Sequence, residues 1–392
     1  MKNLSIQLRS LAIFRSLLTD PVVAALDTFL SQKDIVDAVS AYGNFVSELY
    51  RTEKRTLAGY IQSIVCQDEN AYIRMIGRGE SPWPEMEADV WAELKVLQAV
   101  ADLTPEKLRQ GLDWDGYLPG FGIKSVDLTD IYRQRCRDIR KYGYGIYAKY
   151  HMFYVNQDNK IVPVRNPDRT RLASLVDYER EKKIILDNTL ALLEGRPAAN
   201  ILLTGDAGTG KSSTVKAVVN ELREQGLRIL EVRKEQLRDI PWVLDELSGN
   251  PLKFILFIDD LSFQKDDDNF SALKAILEGS VSAKSGNVVI YATSNRRHLV
   301  KETFSDRDGD DIHRNDTMQE IISLSERFGI QITFQKPDKK TYLGIVHHLA
   351  EERGLEYDPV KLELEAEQFV LRRGSRSARA AAQFIDSLIA AK

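Results

Sequence analysis

The stretch Gly205-Asp206-Ala207-Gly208-Thr209-Gly210-Lys211-Ser212 constrains this chain more than any other, because it fits GxxxxGK[ST] in full and has the flanks that pattern needs. Before it, Asn200-Ile201-Leu202-Leu203-Thr204 reads as a short buried strand. After it, Val215, Val218, Val219 and Leu222 recur at helical spacing. Glycines let successive amides face an anion, and the first turn of the following helix adds a favourable field for negative charge. Residues 205–213, ending in Ser212 and Ser213, are the candidate nucleotide-binding segment. Lys211 is spaced to reach the outer phosphates of ATP, and Ser212 to offer a hydroxyl to Mg2+. A glycine-rich turn without a ligand is the rival reading, and it leaves both the lysine and the flanking pattern unexplained.

A second apolar run, Phe254-Ile255-Leu256-Phe257-Ile258, ends in Asp259-Asp260. Aspartate after a strand is often only a turn or cap residue. Downstream of a phosphate loop, the pair instead suggests Asp259 as an organiser of the metal shell and Asp260 as a positioner of water. Asn295 follows a third run, 288–293, and carries the hydrogen-bonding groups to assist them; a turn-forming asparagine is its bland alternative. Strands are expected over 227–232, 254–258 and 288–293, with helices over 175–193, 234–247 and 270–278. Such alternation implies an α/β fold with a mostly parallel sheet covered on both faces.

The flanking regions are helical in pattern. Ile35, Val39, Tyr42, Val46 and Leu49 share one face of a helix expected within 31–60, and Trp91, Leu94, Leu97 and Ala101 line another. Arginines between 133 and 140 precede a tyrosine-rich run to Tyr154. The strip suits a nucleic-acid face, or equally a helix face followed by packed aromatics. A polar stretch at 156–168, punctuated by Pro163 and Pro167, marks a boundary, and helices return over 342–354, 361–371 and 377–391. The expected division is a mainly helical region at 1–155, a nucleotide-binding domain at 168–335 and a helical lid at 336–392. With 43% hydrophobic and 29% charged residues the chain is of folding composition, and its net charge of -4 gives no global pull toward nucleic acid. Cys66 and Cys136 lack metal or redox spacing, and Arg9 and Arg15 interrupt any leader-like apolar core. The expectation is a cytoplasmic protein with free thiols and no membrane insertion.

These segments resemble the AAA+ ATPases and, more narrowly, a bacterial family of AAA+ proteins designated as a domain of unknown function. The resemblance rests on 196–200 leading into the phosphate loop, on 259–263, and on Leu324-Ser325-Glu326-Arg327-Phe328-Gly329. It implies a catalytic set of Lys211, Asp260, Asn295 and Arg327. Asn295 would act as the polar sensor, and Arg327 as an arginine finger reaching a neighbouring subunit's nucleotide. One lid arginine would touch phosphate, with Arg379 favoured over Arg376 by its position on the last helix. A finger supplied in trans implies a ring or open arc of subunits acting on a protein or DNA client. The alternative is a nucleotide-controlled scaffold with little hydrolysis. Asp260 stands where many relatives carry glutamate, and an acidic insert occupies 301–316, where no specific chemistry is expected.

Overall fold

In a computed structural model of the chain, residues 2–262, 268–278, 286–295, 326–374 and 376–390 are described. The acidic insert at 301–316 and residues Leu324 and Ser325 lie outside them. The chain divides into two compact units, Met1–Lys149 and Tyr150–Lys392.

The first unit is helical around Phe14, Leu26, Tyr42, Phe45, Leu94, Leu97 and Tyr132. The helix expected within 31–60 is two helices, Ile35–Tyr50 and Leu57–Gln67. Asp34 caps the first through the amides of Val36 and Asp37, and Thr56 caps the second through that of Gly59. Each cap stabilises its helix by about 1 kcal/mol. Tyr42, Val46 and Leu49 are buried as one stripe, whereas Ile35, in the first turn, faces solvent. Glu93, buried on the helix Pro84–Ala101, accepts from the amides of Ala12, Ile13 and Phe14 at 2.6–3.1 Å and so fixes the turn before the 3-10 segment Arg15–Thr19.

The basic and aromatic strip is not a single stacking face. Tyr132 and Tyr144 are buried in this core, and the Arg133 and Arg135 guanidinium groups sit over Trp91 and Tyr142 at 5.3 and 5.0 Å.

The second unit is built on a seven-stranded sheet of β1 (Met152–Val155), β2 (Ile161–Pro163), β3 (Ile201–Gly205), β4 (Leu227–Glu231), β5 (Lys253–Ile258), β6 (Val288–Ser294) and β7 (Ile330–Phe334). Their order is β2-β1-β4-β5-β6-β3-β7, and every pairing is parallel except β1 with β2. β3 to β6 are buried on both faces, as unbroken apolar runs require. Two of these strands depart from the sequence expectation, because β1 and β2 form a hairpin across the segment taken as a linker. Its turn is made by Asn156 and by Asn159 at φ 52°, and Pro163 is tolerated because β2 is an edge strand. β7, the other edge, was not anticipated either.

The helix expected over 175–193 starts only at Glu179, since Asp177 and Tyr178 adopt φ of 72° and 64°. The helix expected over 234–247 is a 3-10 segment, Lys234–Asp239, followed by Ile240–Ser248 with Pro241 in its first turn. The last helices, Lys339–Glu352, Pro359–Arg373 and Ala378–Ala390, enclose a core of their own around Tyr342, Val346, Leu362, Ala366, Phe384 and Ile385. Among the described residues no helix is long and apolar enough to cross a membrane.

Candidate functional site

β3 lies between β6 and β7, and its carboxyl end opens into the glycine-rich loop; in parallel α/β sheets, ligands bind at such strand ends. Gly205, Gly208 and Gly210 take φ of 140°, 80° and 95°, which a side chain would resist. At Gly205 the constraint is also steric, since a Cβ there would lie 2.2 Å from the Phe334 carbonyl oxygen of β7. The helix Lys211–Leu222 then starts directly beneath the loop.

Lys211 is buried and uses its three donors inside the site. Its Nζ donates to the carbonyls of Gly205 and Asp206 at 2.7 and 2.8 Å and to Asn295 Oδ1 at 3.0 Å. Burial lowers its pKa from the usual lysine value, while Asp259, Asp206 and Asp260 oppose that shift. Ser212 Oγ donates to Asp259 Oδ1 at 2.6 Å, so a hydroxyl and a carboxylate lie side by side at the loop's edge. Asp260 has φ of 54°, an uncommon conformation for a non-glycine residue, and it accepts from Asn295 Nδ2 at 2.7 Å. Strain of this kind, on the order of 1–3 kcal/mol, gathers where a side chain must be aimed.

Thr293 was missed by sequence reasoning. Its Oγ1 donates to Asp259 Oδ1 at 2.5 Å and accepts from the Asp260 amide at 2.9 Å, tying both aspartates to β6. The available signal was its place two residues before Asn295, since alternate residues of a strand share a face.

A cavity of about 580 Å³ joins these groups to the last helices. Thr209, Lys211, Ser212, Ser213, Asp259, Asp260 and Asn295 line one end, with Ala207, Gly208 and Gly210 of the loop. Leu175, Val176, Tyr178, Ile345 and Leu349 make an apolar wall at the other. The size and the contrast between the two ends suit a small ligand with one polar and one flat apolar part. Tyr178 is held by a hydrogen bond from its hydroxyl to the Gln335 carbonyl at 2.5 Å and by packing on Phe334, ring centroids 4.9 Å apart. Lys182, also missed, is buried beside this wall and donates to the Leu175 carbonyl and to Glu179 at 2.8 Å.

The structure separates Arg379 from Arg376. Arg379 lines the cavity, and its amide donates to the Gly208 carbonyl at 3.4 Å. Arg376 instead makes a paired contact with Glu367 of the helix Pro359–Arg373, Nε to Oε1 at 3.1 Å and Nη2 to Oε2 at 2.9 Å, and does not line the cavity. Arg327 is half-buried just before β7 and does not line the cavity. Asp206, in the loop, pairs with Lys336 at 3.4 Å.

Among the described residues no group of three or more histidine, cysteine or acidic side chains gathers to hold a metal. The adjacent Ser212 and Asp259 oxygens are of the hard type Mg2+ prefers, and that ion commonly takes one or two protein ligands and completes its shell with water and phosphate.

Comparison with known proteins places this site in context. Solved structures of the Thermotoga maritima RuvB Holliday junction branch migration motor resemble the chain at 14% identity and a TM-score of 0.34, covering 56% of this chain and 72% of that one. A singly substituted form of the same motor gives 15% identity and a TM-score of 0.36 over the same shares. Likeness of that extent is distant and speaks neither to activity nor to partner. No curated protein matches the sequence. A family described as protein of unknown function, DUF815, matches residues 148–392. That span takes in the whole sheet, the glycine-rich loop and the last three helices, and on it the chain belongs to the DUF815 family.

Proposed function

We propose that the chain is a Mg2+-dependent ATPase of AAA+ type, acting in the cytoplasm, that couples nucleotide binding and hydrolysis to subunit assembly or to remodelling of a protein or DNA client. The observation that carries this reading is Asn295, which bonds Lys211 through Oδ1 and Asp260 through Nδ2, beside the Ser212–Asp259 pair. A phosphate-binding cation, a metal-type oxygen pair and a carboxylate free to face water thus meet in one cavity.

In this reading residues 205–213 cradle the phosphates, and Lys211 exchanges its carbonyl partners for phosphate oxygens. Ser212 and Asp259 would hold Mg2+, which when bound neutralises charge on the phosphates. Asp260 accepts a hydrogen bond from water and Asn295 fixes that carboxylate's orientation. Water oxygen attacks the terminal phosphorus as the bond to the bridging oxygen breaks, and ADP and phosphate leave. Arg379 contacts phosphate from the lid, residues 336–392. Arg327, outside the cavity of its own chain, would act on the nucleotide of a neighbour in a ring or open arc. The first unit, Met1–Lys149, then serves as the region that recognises the client. If turnover is negligible even at assembling concentrations, Asp260 and Arg327 set assembly instead and the protein is a nucleotide-controlled scaffold.

The test is steady-state ATP turnover against protein concentration for the native chain, Asp260→Asn and Arg327→Ala, with and without single- and double-stranded DNA. Specific activity that rises with concentration and is lost in both variants supports the reading. Undiminished activity in both would overturn the assigned roles.

A further inference from the structure

We propose that the first unit carries a binding site for a small phosphorylated ligand, of sugar-phosphate to nucleotide size, between the helices Leu57–Gln67 and Leu128–Arg137. The argument begins with the pattern of the first of these helices. Leu57, Ala58, Ile61 and Val65 are buried in the core. Gly59, Gln62, Ser63 and Gln67, spaced as one face, line a cavity of about 640 Å³ instead. From the second helix Gln134 and Arg135, one turn on from Ile131, line the same cavity. Facing helices ordinarily close over apolar side chains, because unsatisfied amides between them are costly. Here the amides of Gln62, Gln67 and Gln134, the Ser63 hydroxyl and the Arg135 guanidinium meet beside Cys66 and Ile131 around a cavity of ligand size.

Charge identifies the ligand's class. Lys54, Arg55, Lys124 and Arg135 line the cavity, and no carboxylate does. Two distant segments are brought together to achieve this. Residues Thr56 and Gly122 form a parallel bridge, with the Gly122 amide donating to the Arg55 carbonyl at 3.0 Å, and Lys124 lines the same cavity as Lys54 and Arg55. Those three side chains are exposed and lose little to dehydration when they meet an anion. Arg135 is held from behind, donating to the Gly143 carbonyl at 3.0 Å and lying over the Tyr142 ring at 5.0 Å, so its fork is fixed before a ligand arrives. Cations matched to phosphate oxygens, with glutamine amides suited to hydroxyl groups, fit a phosphate ester on a polar body. Four cations around one cavity, rather than a row of them along a groove, favour a free small molecule over a strand of nucleic acid.

The test uses the full chain carrying Lys211→Ala, which weakens phosphate binding at the candidate ATP cavity, and the dependence on Arg55 and Lys124 assigns what binding remains. Ribose 5-phosphate and inorganic pyrophosphate are titrated calorimetrically, against a 5′-phosphorylated oligothymidylate. Binding of either small probe that weakens at least about tenfold, or roughly 1.4 kcal/mol, when Arg55→Ala and Lys124→Ala are added is the expected result. Both of these side chains are exposed, and an unchanged melting temperature verifies that the variant is folded. No binding of either small probe at about 10 mM, or binding indifferent to the double substitution, overturns the site. Oligonucleotide binding more than tenfold tighter than both small probes, with the same dependence on Arg55 and Lys124, overturns its assignment to a free small ligand.

Discussion

Asn295 Nδ2 lies 2.7 Å from Asp260 Oδ1, so the residue just after β6 sets the direction of a carboxylate two residues past β5. Asp260 is held at φ 54° with its amide bonded to Thr293, and Asn295 also bonds Lys211. If the carboxylate positions water, removing either partner should affect rate more than affinity. Asn295→Ala and Asp260→Asn are expected to lower kcat by roughly 10²–10³ while ATP affinity changes less than about threefold. Single-turnover kinetics beside equilibrium binding separates the two quantities. An affinity loss as large as the rate loss would count against positioning.

Lys211→Ala should act on binding. The lysine is buried with three acceptors, and its loss removes the charge nearest the proposed phosphates. ATP affinity is expected to fall by about 10²-fold or more, read by calorimetry or nucleotide fluorescence.

Gly205→Ala tests the loop's backbone. A Cβ would lie 2.2 Å from the Phe334 carbonyl oxygen, at φ 140°. Because both atoms belong to paired strands, neither can move without breaking the β3–β7 ladder. Destabilisation of about 3 kcal/mol or more is expected in chemical denaturation, whereas Gly195→Ala, with open space around it, should cost only the strain of its φ of 72°, about 1 kcal/mol.

Arg379 and Arg376 should behave differently. Arg379→Ala is expected to weaken ATP binding by roughly tenfold with an unchanged melting temperature. Arg376→Ala should lower the melting temperature and leave affinity within about threefold. The hydrogen-bonded Arg376 guanidinium holds the Glu367 carboxyl below its ordinary value of 4.5, aided by Lys339 at 3.6 Å. A carboxyl with a lowered folded pKa stabilises fully above its unfolded value, and that stability is lost as pH falls through the folded one. Melting temperature should therefore drop below pH 4.5 in the native chain, with a smaller contribution to that drop in Glu367→Gln.

Much of the second unit was legible because its strands are buried on both faces and its loop must be glycine where φ is positive. The residues 201–205, 253–258 and 288–294 carry that signal in uninterrupted apolar runs. The hairpin of β1 and β2 was not, since its polar turn and Pro163 read as a linker and its pairing to β4 is a long-range fact. Tyr178 lines the cavity, yet the late start of its helix depends on two left-handed residues that no periodicity reports. Thr293 and Lys182 are ordinary in sequence and acquire meaning only through what they touch. In the first unit, periodicity found the buried stripes but not the polar faces of 57–67 and 128–137, because amides and hydroxyls on a helix read as solvent-facing until the opposing helix is placed.

Gly208 leaves no slack between the loop and the final helix. A Cβ there would lie 3.1 Å from Arg379 Cβ and from Ser377 Oγ, and the Gly208 carbonyl already accepts from Arg379. The helix Ala378–Ala390 packs Phe384 and Ile385 into the shared core of the last three helices, so it can rotate only with them. A displacement of a few tenths of an ångström at residue 208 would therefore be passed on to the last three helices together rather than taken up at the loop alone.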